Sequence, residues 1–405
     1  MSATPAAQPA VLAVPDRNRI ILLLALAGFA SACAARVSDP LLPQLARDFS
    51  TTTGQAAQAV TLFAVAYGIF QFFFGPMGDR YGKYRTITVA TLLCAIGNIA
   101  VLLSPTLNMM LGARLITGAA AAGIIPLSMA WIGDNVEYEA RQATLARFIT
   151  GNIIGMAGGQ FIGGLFADTL GWRWAFGFLA VLNLVVGALM WTRKVPAPAA
   201  TSGRTEFLRP MRDVFSQGWA RVVLLTVFLE GALVFGVLAM VPAYVQTRFA
   251  LTPTAAGAIG GIFALGGLAY VAVARRLVQS LGEAGLVSAG GLVLALACVT
   301  YAVGPVWAWS LLAGVLCGFG YYLLHATLQT QATQMVPARR GTAVSLFACC
   351  LFLGQSAGVS AAATVVDRIG PAWLFWPVAV AVPLLGLGFA WALRRRKQAS
   401  GTAQA

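Results

Sequence analysis

Residues 86–104 read TITVATLLCAIGNIAVLLS, an apolar stretch without a charged side chain. It is one of twelve such stretches, each about 20 residues long, the length a helix needs to cross roughly 30 Å of hydrocarbon. Backbone amides inside a bilayer must bond within the protein, so a spanning segment is a helix or a strand of a closed barrel. Barrel strands are shorter and alternate polar with apolar residues, and residues 86–104 do not alternate. The chain therefore reads as an all-α polytopic membrane protein. Its composition agrees. Of 405 residues 59% are hydrophobic and only 10% charged, whereas a typical soluble domain is about a quarter charged.

Gly/Pro clusters and charges place the spans near 20–43, 56–78, 86–104, 107–131, 142–167, 172–192, 220–245, 255–277, 285–304, 306–333, 341–365 and 372–393. The first is not a signal peptide, because Arg36 and Asp39 interrupt it where a cleavage site would lie. Residues 1–19 form a tail, rich in Ala and Pro up to residue 16 and expected to be disordered. Residues 193–219 form the one long polar connection, and 394–405 a basic tail. The chain thus divides into six-helix halves at 20–192 and 220–393.

The net charge of +14 is topology rather than a nucleic-acid footprint. One side of the expected membrane holds Arg17, Arg19, Arg80, Lys83, Arg85, the arginines of 193–219 and the Arg394–Lys397 run. The other holds only Arg47, Arg173, Arg248 and Arg368. Basic residues in short loops stay cytoplasmic, so both termini are expected inside a plasma (inner) membrane, with the lipid bilayer as solvent. All ten Trp fall near span ends, where the interface favours them. The six Cys lie within spans without metal-ligand spacing and read as small packing residues, so no metal is expected.

The two halves match at a fixed offset of 199 residues. Arg141/Arg340, Gly155/Gly354, Gly159/Gly358, Asp168/Asp367, Gly171/Gly370, Trp174/Trp373 and Phe176/Phe375 all obey it. Repeated six-span halves around a central binding site are a transporter architecture.

Three motifs follow in order. Between spans 2 and 3 stand Gly75, Gly78, Asp79, Arg80, Gly82 and Lys83, where the glycines allow a tight turn and Asp79 is an acid in a basic loop. Span 4 carries Arg114-Leu115-Ile116-Thr117-Gly118, an arginine that is costly unless it meets water or a partner. Span 5 has Gly151, Gly155, Gly159 and Gly163, with Gly164 beside them, a smooth face for close helix approach. The first motif resembles the G-x-x-x-D-R-x-G-[RK] signature of the major facilitator superfamily. The second resembles the R-x-x-x-G-x-x-x-A pattern of its drug:proton antiporters, and Gly155-x-x-x-Gly159-Gln160-x-x-Gly163-Gly164 resembles their G-x-x-x-G-P-x-x-G-G. Here Gln160 replaces the kink-forming proline. The resemblance covers the whole chain and implies the twelve-helix major facilitator fold. It also implies that Asp79 clamps the cytoplasmic ends of the halves, its acid facing a helix N-terminus.

Buried ionisable groups mark ion and substrate pathways. Arg36 and Asp39 lie on span 1, Arg114 on span 4, Glu230 on span 7 and His325 on span 10, the four spans that by resemblance line the central cavity. Glu230 has no countercharge nearby in sequence, so its charged form is costly to bury and it is suited to exchange protons. Asp39 lies three residues from Arg36 on one helix face and is expected to stay ionised. Yet Asp39-Pro40-Leu41-Leu42-Pro43 resembles the D-x-x-x-P of some drug antiporters, where the acid carries protons or meets substrate. Residue environment favours Glu230 as proton site, and the resemblance favours Asp39. His325 is either a satisfied structural group or a cavity hydrogen-bonding group, with Tyr321 placed to stack on cargo.

These features point to a monomeric secondary transporter that exports small amphipathic or hydrophobic organic molecules by proton coupling, with the proton gradient as driving force and without a cofactor. A sugar or metabolite importer on the same fold is the alternative, since fold does not fix cargo. A transporter-shaped sensor would need a signalling domain, for which the tails are short. An enzyme is not expected, because no Ser-His-acid set or metal cluster is recognisable.

Overall fold

The computed structural model describes residues 14–193, 195 and 208–402, and these are helical with short connections and no strand. Among the described residues, ten helices are long and apolar enough to cross a membrane. The longest, Pro253–Val303, breaks at Gly282, whose φ of 61° and ψ of 177° are not helical. Tyr138–Asp168, a further helix of 31 residues, carries Glu139, Arg141 and Arg147 in its first part and falls outside those ten.

Several expectations are corrected. Residues 14–19, expected within the disordered tail, already belong to the helix Val14–Arg36; residues 1–13 lie outside the described residues. The basic tail continues the last helix, Phe375–Thr402. Within the central connection Leu208–Ser216 is helical, while residue 194 and residues 196–207 lie outside the described residues. Trp131 and Trp172, expected near span ends, are buried within the bundle, at 3% and 1% exposure, with Trp172 the first residue of the helix Trp172–Trp191. The Trp172 indole donates to Asp48 Oδ2 at 2.7 Å, which satisfies its N–H on burial.

The glycine face of Tyr138–Asp168 packs on Val14–Arg36 and the turn that follows it. A methyl on Gly155, Gly159 or Gly163 would collide with the carbonyls of Phe29, Cys33 and Val37 respectively. Backbones this close suit a medium in which dispersion, not the hydrophobic effect, holds helices together. Gly164 instead abuts the backbone of Pro253, across the chain midpoint, and Gly151 has open space around it and takes no part. In the second half of the sequence Gly354 and Gly358 abut the carbonyls of Phe228 and Ala232. The glycine and the carbonyl it faces are both displaced by the same 199 residues. Of the four positive-φ glycines among the described residues, Gly171 and Gly370 keep the same offset, and Gly82 and Gly282 stand 200 residues apart.

The end of the bundle opposite the termini is tied together by bonds between the two halves of the sequence. Asp168 Oδ2 accepts from the Thr254 N–H at 2.8 Å and from its hydroxyl. Asp367 accepts from the Gly54 N–H at 3.0 Å and the Thr52 hydroxyl at 2.6 Å. Gln246 donates to the Pro40 carbonyl at 2.9 Å. Each carboxylate sits at the start of a helix, where the macrodipole favours negative charge. At the end that carries the termini, Arg17–Glu137, Lys83–Asp134 and Lys397–Glu283 each join residues of the same half.

Candidate functional site

The helix Gly218–Glu230 does not continue regularly. A π-helical turn, Gly231–Phe235, follows Glu230 directly, before helix Gly236–Phe249 resumes. Such turns widen the helix locally and often accompany functional sites. Glu230 is fully buried, and its Oε2 lies 2.8 Å from His325 Nδ1. The two residues stand 95 positions apart, so the partner absent from the local sequence comes from another helix. Glu230 Oε1 has no hydrogen bond. The His325 ring stacks on Tyr321 at 4.8 Å and 19° and tilts against Phe347 at 5.5 Å. Tyr321 also meets Phe235, in the π turn, edge-on at 5.1 Å. The imidazole is therefore held between aromatic rings with one nitrogen aimed at the carboxyl.

Arg36 and Asp39 form a second buried group. Their side chains are 2% and 0% exposed, with Arg36 Nη2 3.1 Å from Asp39 Oδ2. The approach is a charge contact without hydrogen-bond alignment, since neither the guanidinium nitrogens nor the carboxylate oxygens have a hydrogen bond. Asp39 begins the short turn Asp39–Leu41, where Pro40 prevents the first helix from continuing regularly. Arg114, fully buried, donates from Nε to the Ala59 carbonyl at 3.2 Å and lies over the Phe63 ring at 4.3 Å. Its Nη1 and Nη2 have no hydrogen bond.

The residues singled out in the sequence thus separate into two places. Glu230, His325 and Tyr321 cluster directly. Arg36, Asp39 and Arg114 gather beside them, linked through Phe235, whose ring lies 5.6 Å from the Arg36 guanidinium. Two residues without a sequence-level role join the interface. Gln160, standing where the antiporter pattern has proline, lines a narrow crevice with Arg36 and Tyr322. Phe235 bridges the two groups.

The loop motif is elsewhere and differs from expectation. Gly75, Gly78, Asp79 and Arg80 belong to the helix Gln58–Tyr81, with Pro76 inside it. The turn is confined to Gly82, whose φ of 90° and ψ of 129° suit a residue without Cβ. Gly78 packs on Leu127 while Gly75 faces open space. Lys83 pairs with Asp134, and the Arg80 guanidinium lies over Tyr81. Asp79 is exposed.

A family model described as Major Facilitator Superfamily matches residues 24–359 and 251–405. Among curated relatives, the chain is 26% identical over 303 residues to an MFS-type transporter, YwfA, of Bacillus subtilis (strain 168), covering 71% of this chain and 72% of that protein. It is 25% identical to the inner membrane transport protein YnfM of Escherichia coli (strain K12), over 59% of this chain and 57% of that protein. It is 26% identical to the quinolone resistance protein NorB of Staphylococcus aureus (strain JH9), over 44% of this chain and 38% of that protein. A crystal structure of a bacterial homologue of the human lysosomal transporter Spinster, inward-facing and unoccupied, shares the fold. Its TM-score is 0.73 at 16% identity, over 94% of this chain and 96% of that one.

Proposed function

This chain belongs to the Major Facilitator Superfamily, and we propose that it is a proton-coupled exporter of small amphipathic or hydrophobic organic molecules, working by alternating access. The family and fold are those of a transporter, not an enzyme. Twelve spans in two halves follow if Pro253–Val303 counts as two helices across Gly282 and Tyr138–Asp168 is added to the rest. The repeat-related glycine contacts and glycine turns support that duplication. The basic loops support cytoplasmic termini in an inner membrane, and the likeness to a quinolone resistance protein supports an organic cargo.

The observation that carries the reading is the buried Glu230–His325 pair at 2.8 Å. A carboxylate in this position is costly unless it is protonated or faces a protonated imidazole. One proton can therefore sit on the carboxyl–imidazole bond, and either protonation change alters the charge of the cavity wall. Tyr321 stacks on the ring and keeps Nδ1 directed at the carboxyl. The π turn beside Glu230 gives its helix a place to rearrange as the halves rock. Bonds at Asp168 and Asp367 hold one end shut, so the pair would exchange with the side that carries the termini.

The test is flux in inside-out vesicles over a compound panel, with and without an imposed pH gradient. Glu230→Gln should abolish gradient-driven accumulation while retaining substrate binding and passive exchange. Uphill transport by Glu230→Gln, or loss of coupling in Asp39→Asn alone, would move the proton site to the Arg36–Asp39 group.

A further inference from the structure

The Arg36–Asp39–Arg114 group is unbalanced. Two buried guanidiniums lie within electrostatic reach of Asp39. Glu230, the other buried acid, is engaged by His325. A guanidinium presents five N–H donors, yet Arg36 Nε, Nη1 and Nη2 all lack an acceptor. Its side chain is 2% exposed, so bulk solvent does not reach these donors. A buried cation left with unfilled donors is costly, and an arriving anion relieves that cost by filling them.

The surroundings specify the rest of the ligand. Arg36 lines the crevice between the two halves of the sequence together with Gln160, Met156, Phe263 and Tyr322. Phe235 stands over its guanidinium. An acceptor for Arg36 at this point would have aromatic rings on one flank and a thioether and an amide on the other. The crevice is narrow in this structure, so a ligand enters as the halves part.

We propose that Arg36 is a binding residue for a carboxylate, and that the cargo class is amphipathic organic anions with an aromatic or similarly flat apolar body. The proposal rests on the transporter reading but not on proton coupling. Arg36 would hold the carboxylate, Asp39 would keep the guanidinium in place, and the ring cluster would take the apolar part. The charge of the site, rather than its shape alone, would then separate anions from neutral molecules of the same outline.

The test is binding by calorimetry to the purified full chain in lipid nanodiscs, at one pH and without a gradient. The probes are 2-naphthoate and its uncharged analogue 2-naphthamide. The parent should bind the carboxylate at least about tenfold more tightly, the scale of one charge-assisted hydrogen bond. Arg36→Gln should erase that preference and Arg36→Lys should keep part of it. Since Arg36→Gln also removes one positive charge from a group that still holds Arg114 and Asp39, Arg36→Gln/Asp39→Asn, which restores the net charge the group has in the parent, provides a second variant with the same expected loss. Equal binding of the two probes by the parent, no binding of either, or a preference surviving in both glutamine variants would overturn the proposal. Carboxylate preference without any pH-driven flux would instead refute the coupling reading and leave this site standing.

Discussion

Neutralising Asp168 and Asp367 together should open the end of the bundle opposite the termini. Each carboxylate accepts a backbone N–H and a hydroxyl from the other half of the sequence, at Thr254 for Asp168 and at Gly54 and Thr52 for Asp367. Asparagine keeps the shape and an acceptor oxygen but loses the charge. A hydrogen bond to a charged group is worth about 1.5–3 kcal/mol, but both aspartates are exposed, so solvent screening reduces what the charge adds. The helix-terminus interaction that remains is worth about 0.5–1 kcal/mol per site. The two sites are separate, so the double variant should lose about 1–2 kcal/mol of closure, shifting the closed-to-open ratio roughly 5- to 30-fold. Spin labels at Leu170 and Ile369, exposed residues just beyond the two aspartates, report that opening as a longer distance population in pulsed electron resonance. Each single variant should give a smaller shift. Glu137→Gln, which breaks an ion pair within one half, should give none. An unchanged distance distribution in Asp168→Asn/Asp367→Asn would refute the reasoning.

Two further outcomes follow from packing and topology. Gly159→Ala would drive a methyl into the Cys33 carbonyl, and overpacking of this kind costs about 1–3 kcal/mol. Gly151→Ala meets open space and should be neutral or slightly stabilising through helix propensity. Thermal unfolding in detergent separates the two, and equal effects would contradict the helix contact described. For topology, a thiol reagent applied outside intact cells should miss a cysteine placed at Ser216 and modify one at Thr252. Labelling at Ser216 would reverse the assigned orientation.

Helix existence was legible because span length and charge placement are local properties of the chain. The glycine face was legible for the same reason, since four-residue spacing fixes a helix side. Which carbonyls it meets was not, and Gly151 fits the spacing yet touches nothing. The loop motif misled in a different way. Glycines and a proline suggest a turn, but Gly75, Pro76 and Gly78 sit within a helix, and of the motif's glycines only Gly82 has a positive φ. At the candidate site the individual residues stood out as charges in apolar spans. Their pairing did not, because Glu230 and His325 meet through tertiary packing across 95 residues. Asp168 and Asp367 were visible as a repeat, but their role at helix starts in the opposite half required coordinates.

If the buried Glu230–His325 pair exchanges a proton for cargo, protons must move whenever cargo moves. The most direct measurement uses purified protein in liposomes with a pH-reporting dye inside and no imposed pH gradient. Cargo, chosen as the compound the parent moves fastest, is supplied on one side only. Cargo running down its own gradient should drive protons the opposite way in the parent, and Glu230→Gln should pass cargo without moving protons. Cargo flux in the parent without proton movement, or proton movement persisting in Glu230→Gln, would contradict the account.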